Sequence, residues 1–394
     1  MKNFLVYILC VCMFLIFAGC AKPAENFQSV STEGTEQMPD TQPTSTVQDI
    51  EIQQKPMVAV SVPITTETET AQDGTSIFNY TYQNISLTVP DPGVADKVIV
   101  DFLNRVDQFS GQAETIRTAA KADYRPGESW NPYLCQIIYE PVRIDNSVLS
   151  LFGSYAGYSG SSHPETTYQS VSYDLVTGEE LTLSNVITPE TDLDTLCQKI
   201  VDILREQNNN SLYPGFEATM KDRFTHGLST DRSWYFSSTG LCFYFSPYEI
   251  APYSAGVITA EIPYHQLTGI LDDAYFPAEQ EEAVGSVSIQ NFKNDTLENF
   301  SQFAEVTLSE EREKILLYTD KSVYDIRLHA STGDSDSNAM YCIFAAYGLT
   351  PGDAVIVQPE KVPLLLTYRT NENTVHNYYL SIDPMTDTPA LTKP

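Results

Sequence analysis

Four residues hold the chemistry that a hydrolase would need. Ser161, Ser162 and His163 sit side by side in a glycine- and serine-rich loop, and Glu249 lies in a second loop. A hydroxyl nucleophile, an imidazole base and an orienting carboxylate work as a set only within hydrogen-bond reach of one another. The chain has no Gly-x-Ser-x-Gly elbow and nothing marks an oxyanion hole. The competing reading is that the serines and His163 bond the backbone of their own loop. Catalysis is not expected on these grounds.

Metal chemistry has less to build on. The histidines are His163, His226, His265, His329 and His376, and none forms an HxH or HExxH spacing. Asp334, Asp336 and Asn338 begin like a calcium loop, but Ala339 stands where glycine is needed and Ala345 where the bidentate glutamate belongs, so a hairpin turn is expected. No cofactor is expected. Cys135, Cys197, Cys242 and Cys342 include no close CxxC pair. Two disulfides would be allowed outside the cell, but spacing cannot assign them, and free buried thiols are the favoured reading. Tyr248, Pro252 and Tyr253 form an aromatic-proline loop. It is either a binding surface, since tyrosine offers contact area at low entropy cost, or a corner packed internally.

The elements that must position these residues follow from pattern. The chain has 394 residues, 42% hydrophobic and 11% aromatic, enough for two or three domains with real cores. Lys2, an apolar run from Phe4 to Phe17 and then Ala18-Gly19-Cys20 read as a secretory signal ending in a bacterial lipobox, with cleavage before Cys20 and a lipid on its sulfur. The run is shorter than the ~20 apolar residues of a comfortable membrane span; the alternative is an uncleaved anchor. Either way the rest of the chain is expected outside the cytoplasm. Residues 20–56 are rich in Thr, Gln, Glu, Ser and Pro and read as a disordered tether, reaching roughly 30–35 Å as a coil.

The expected fold is α+β. A module over 57–276 has an antiparallel sheet and two main helices, and a small all-β sandwich-like domain follows over 282–394. Met57–Ile64 and Ile77–Val89 alternate as strands, with Glu67–Gly74 as a polar connection. Asp91-Pro92 caps a helix whose stripe is Val94, Val98, Phe102, Val106 and Phe109. Strands are expected over Tyr133–Val142, Val148–Tyr155 and Thr167–Leu175, and then a helix after Pro189 with Leu193, Leu196, Cys197, Ile200 and Leu204 inward. Trp234–Phe236 and Leu241–Phe245 pair across a Ser237–Gly240 turn, and alternation resumes at Val257. Pro247 and Pro252 cannot donate to a ladder, so the chain between them is a bend. Seven short alternating segments follow after residue 282.

Four of these stretches resemble one known family. They are YSGSSHPE from Tyr158, SYDLVTGEELTLSNV from Ser172, the helix after it, and WYFSSTGLCFYFSPYEIAPYSAGVITAEIPY from Trp234 to Tyr264. Together they resemble the extracytoplasmic accessory domain of RsiV-type anti-sigma factors and PdaC-type peptidoglycan deacetylases. The deacetylase catalytic domain itself is not evident. The resemblance implies a non-catalytic receptor for lysozyme or a similar basic, wall-active protein, with wall glycan as the alternative ligand. By motif position it implies a contact surface at Tyr158, Ser159, Ser161 and His163, together with Tyr248, Glu249, Pro252 and Tyr253. The segment up to Cys20 departs from the RsiV pattern of a cytoplasmic part and a membrane span, which argues against direct anti-sigma activity. The 52 acidic against 22 basic residues, a net charge of −30, suit a basic partner and exclude nucleic acid.

Overall fold

The structure, a computed structural model, describes residues 56–208, 211–226, 233–278, 283–309, 312–331, 339–359, 363–371, 374–383, 385–386 and 388–394. The lipobox with Cys20, the tether and the Asp334-Asp336-Asn338 segment lie outside these residues. The fold is α+β, built from several largely antiparallel sheets. No helix among the described residues is long and apolar enough to cross a membrane.

The first strand, β1 (Ala59–Ser61), lies where alternation places it, but its partners are far away in sequence. β2 (Ile64–Thr70) extends into the stretch expected to be a polar connection: its β-branched threonines suit an edge strand, where alternating glutamates stay solvated. The long alternation after Ser76 splits into β3 (Ser76–Gln83) and β4 (Ser86–Thr88), which join different sheets. Helix α1 (Pro92–Asp107) starts as expected, with the Asp91 carboxylate accepting from the Gly93 amide at 2.8 Å, and its stripe is buried from Val94 to Val106. A second helix, α2 (Ser110–Asp123), was not expected; it buries only Ala113 and Ala120, too little to give a periodic signal.

β5 (Tyr133–Ile144), β6 (Val148–Tyr158) and β7 (Glu165–Asp174) complete a five-stranded sheet in the order β2-β3-β5-β6-β7. All neighbours are antiparallel except β3 and β5. One face carries Phe78, Tyr139, Leu151 and Tyr173 into a core shared with α1 and α2. After β7 comes a single turn of helix, α3 (Leu183–Val186), followed by α4 (Leu193–Asn208) and α5 (Phe216–His226).

β8 (Trp234–Phe236), β9 (Gly240–Phe245) and β10 (Ile258–Pro263) form a three-stranded sheet with β9 in the centre. Phe243 and Phe245 face the core with Leu196, Ile200 and Leu204 of α4 and Met220 of α5. The opposite face is buried as well. Tyr235 and Tyr244 meet Phe152 of β6 at ring separations of 4.9 and 5.0 Å. Serines pin the two sheets together: Ser170 Oγ donates to the Trp234 carbonyl, and Ser150 Oγ accepts from the Phe236 amide.

The C-terminal part is sandwich-like. β11 (Val287–Asn291), β12 (Gln302–Thr307), β13 (Ile315–Thr319) and β16 (Asp353–Gln358) form a four-stranded sheet, with β12 parallel to β16. β14 (Val323–Ser331), β15 (Met340–Leu349), β17 (Leu364–Arg369), β18 (Val375–Ile382) and β19 (Pro389–Thr392) belong to a larger sheet. All seven expected strands are present, with β12 and β19 in addition. The larger sheet is completed from the other end of the chain, in the order β19-β18-β17-β14-β15-β1-β4. Val60 sits opposite Ala345 on one side and Leu87 on the other. Val58, Val60 and Val62 point into the α1 core, whereas Met57 and Ala59 point into the sandwich core.

Candidate functional site: an aromatic surface made by two loops

The two motif loops come from different sheets and meet at their tips. The loop after β6 begins at Tyr158, whose ring packs edge-on to Tyr133 at 5.7 Å. Gly160 has φ +87, and a β-carbon there would come within 2.6 Å of the Tyr133 hydroxyl, so only glycine lets the loop lie on that ring. Ser159, Ser161, Ser162 and His163 are exposed. The Ser161 hydroxyl donates to the His163 carbonyl at 2.7 Å, and His163 Nδ1 bonds the Pro164 carbonyl at 3.1 Å. The bond to a carbonyl makes Nδ1 the protonated nitrogen.

The loop between β9 and β10 is stiffened in another way. Tyr248 has φ +73 although it is bulky, a conformation that costs about 1–3 kcal/mol. It is held there by its amide donating to the Ala251 carbonyl at 3.0 Å and by the Glu249 amide donating to the Ser246 carbonyl at 3.1 Å. The Glu249 carboxylate accepts from the Ser246 amide at 3.0 Å and lies 3.7 Å from the Arg223 guanidinium. Arg223 in turn donates to the carbonyls of Tyr244 and Ser233 and covers the Phe245 ring at 4.9 Å. Pro252, exposed, opens a single turn of 3-10 helix over Tyr253–Ala255. Ile250 and Ala251 are buried and anchor the loop to the core under it.

The result is a short ladder of rings. His163 lies 5.0 Å from Tyr253, and Tyr253 lies 5.5 Å from Tyr248. Tyr248 remains 64% exposed and Tyr253 37% exposed. Tyr213, which sequence reasoning missed, is 38% exposed, and its amide donates to the Ile250 carbonyl of this loop at 2.8 Å. Its sequence signal is slight: a tyrosine before the Pro214-Gly215 turn in a stretch without periodicity.

Of the set first considered for hydrolysis, the structure brings His163 to Tyr253 and ties Glu249 to Arg223. The Ser161 hydroxyl is turned to backbone. Among the described residues no three His, Cys, Asp or Glu side chains converge as a metal set. Cys135, Cys197, Cys242 and Cys342 are free thiols. Burial pushes Cys135, Cys242 and Cys342 up to about 12, so they stay protonated and unreactive.

No curated protein matches the chain. Among solved structures, a DUF3298-family protein from Bacteroides fragilis aligns at 17% identity and a TM-score of 0.39, over 56% of this chain and 95% of that one. A second, from Pseudomonas aeruginosa PAO1, aligns at 15% identity and a TM-score of 0.40, over 56% of this chain and 97% of that one. Residues 184–265, which contain Tyr213 and the whole Tyr248–Tyr253 loop, match the family described as a protein of unknown function, DUF3298.

Proposed function

We propose that the protein is a non-catalytic, extracytoplasmic binding module, tethered to the membrane through a lipid on Cys20, whose partner is a basic wall-active protein of the lysozyme kind. Tyr248 carries the reading. It is a bulky residue held at positive φ with its ring largely in solvent, and such strain clusters where a surface is shaped for a ligand. The stacked His163 and Tyr253 widen the same surface, and tyrosines are frequent anchors at interfaces. The net charge of −30 steers a basic partner toward it. The Ser161 and Glu249 contacts, to backbone and to Arg223, support a binding role over a hydrolytic one.

The test is calorimetry of the full-length protein with a basic lysozyme at low and at ~0.5 M salt. Binding at low salt, weakened about tenfold by Tyr248→Ala and more modestly by salt, is the expected outcome. The absence of heat at both salt concentrations, with folding verified by circular dichroism, removes the lysozyme reading.

A further inference from the structure

The two-loop surface carries carboxylates as well as rings. The loops over 157–166 and 246–256 contain no Lys or Arg, while Glu165 and Glu249 in them are exposed. Glu249 follows Tyr248 directly, and its two oxygens are used differently. Oε2 accepts from the Ser246 amide at 3.0 Å and closes the loop. Oε1 lies 3.7 Å from Arg223 Nη1, beyond hydrogen-bond reach, and among the described residues no hydrogen bond meets it. Arg223 is held back by its other contacts: it donates to the Tyr244 carbonyl at 3.2 Å and the Ser233 carbonyl at 2.7 Å, and it lies over the Phe245 ring. Of the two tyrosine rings, Tyr253 has His163 against it at 5.0 Å, whereas Tyr248 has Tyr253 beside it, tilted by 32°, and is the more exposed.

An electron-rich ring and a half-used carboxylate on adjacent residues are what a cationic side chain takes. An anionic group would meet like charge at Glu249 and Glu165. An apolar group would cover Glu249 Oε1 without offering it a donor. Between the two biological cations, the guanidinium fits better. It is planar, it stacks on aromatic faces, its fork of N–H donors matches a carboxylate, and it is more weakly hydrated than an ammonium. An exposed ion pair alone holds little and is screened by salt, so the ring contact has to supply the part of the attraction that salt leaves intact. The geometry points to Tyr248 and Glu249 as the seat for an arginine side chain of the partner, a role that rests on this surface binding a basic protein but not on that protein being a lysozyme.

The experiment is calorimetry of the full-length protein with hexa-arginine, hexalysine and hexacitrulline, at ~0.15 and ~0.5 M salt. Hexa-arginine should bind about tenfold tighter than hexalysine and keep part of that binding at the higher salt. Hexacitrulline, which keeps the shape but loses the charge, should not bind. Glu249→Gln keeps an oxygen for the Ser246 amide and removes the charge, and Tyr248→Leu keeps bulk and removes the ring. Each should weaken hexa-arginine about tenfold, while Tyr379→Ala, at an exposed ring on β18, leaves it unchanged. Melting temperatures check folding, and Glu249→Gln alone decides the matter if Tyr248→Leu does not fold. The proposal is overturned if folded Glu249→Gln binds hexa-arginine as tightly as the parent, if hexacitrulline binds equally well, or if hexalysine matches hexa-arginine and salt abolishes both. Lysozyme titrated into the same variants separates the two claims. Lysozyme bound equally by parent and Glu249→Gln removes the arginine seat and keeps the binding surface. Hexa-arginine bound through Tyr248 and Glu249, with no heat from lysozyme, keeps the seat and removes lysozyme as the partner.

Discussion

At Tyr248 an aromatic ring is left largely in solvent on a strained backbone; at His329 another is mostly covered and kept neutral. His329 lies on β14 near Arg327 and Asp325 and opposite Cys342 of β15, whose amide is bonded by Glu140 of β5. Burial, reinforced by the Arg327 charge and opposed by Asp325, lowers His329 from 6.5 to about 4. The unfolded chain therefore takes up this proton first as the pH falls. Stability is full above about pH 6.5, declines as the pH drops toward 4, and levels off below, a loss on the order of 3 kcal/mol. Asp325 adds to the acid side. Burial pushes its carboxyl up, but Arg327 and Arg369 outweigh that and hold it below the usual carboxylate range, so its contribution disappears as the pH falls through that lowered value. Glu140, raised by burial, acts in the opposite direction. His329→Gln should flatten the fall in melting temperature between about pH 7 and 5. A parallel fall in parent and variant would mean that other groups carry it.

Among the elements, β1 has influence out of proportion to its three residues. It is the strand between β15 and β4, and every residue from Met57 to Val62 is buried. Both its ends are tied down by glutamine side chains. The Met57 amide donates to Gln302 Oε1 at 2.6 Å, and Gln83 Nε2 donates to the Val62 carbonyl at 2.9 Å while Gln83 Oε1 accepts from the Tyr139 amide at 2.6 Å. A charge at Val60 would have no partner in the α1 core. Val60→Asp should cost about 4 kcal/mol or more, read as a lower urea midpoint or as insoluble expression. A variant with the parent's midpoint would show that β1 is dispensable.

For the whole molecule the consequence is cooperativity. Residues 55–394 form one compact unit, and the seven-stranded sheet, which takes in β1 and β4, is also bonded directly to the five-stranded sheet. Arg327 donates to the carbonyls of Pro141 and Val142 at 2.6 and 3.1 Å, and the Glu140 carboxylate accepts from the Cys342 amide at 2.8 Å. Two parts whose strands complete one sheet and which share polar contacts should unfold together. Scanning calorimetry should give one transition with matching calorimetric and van't Hoff enthalpies. Two resolved transitions would contradict this. A fragment cut after Phe276 would leave β1 and β4 without the β15 side of their sheet.

How much of this was legible beforehand differed from place to place for physical reasons. The Val94–Val106 stripe, the Asp91 cap and the Ser237–Gly240 turn are local patterns, and each formed where the sequence places it. The seven C-terminal strands follow from two-residue alternation in the same way. The motif residues Tyr158, His163, Tyr248 and Tyr253 stand out in the chain, but nothing in their spacing says that His163 and Tyr253 stack. Helix α2 was hidden because only two alanines are buried on it. By itself, then, the sequence determined where strands, helices and turns occur, because side-chain period and turn chemistry act over a few residues. Only the tertiary structure decided that β1 joins the far sheet, that the Tyr213 amide bonds the Ile250 carbonyl, and that His163 comes to stack on Tyr253. Those are contacts between distant segments, settled by which surfaces bury one another best and invisible to any local period.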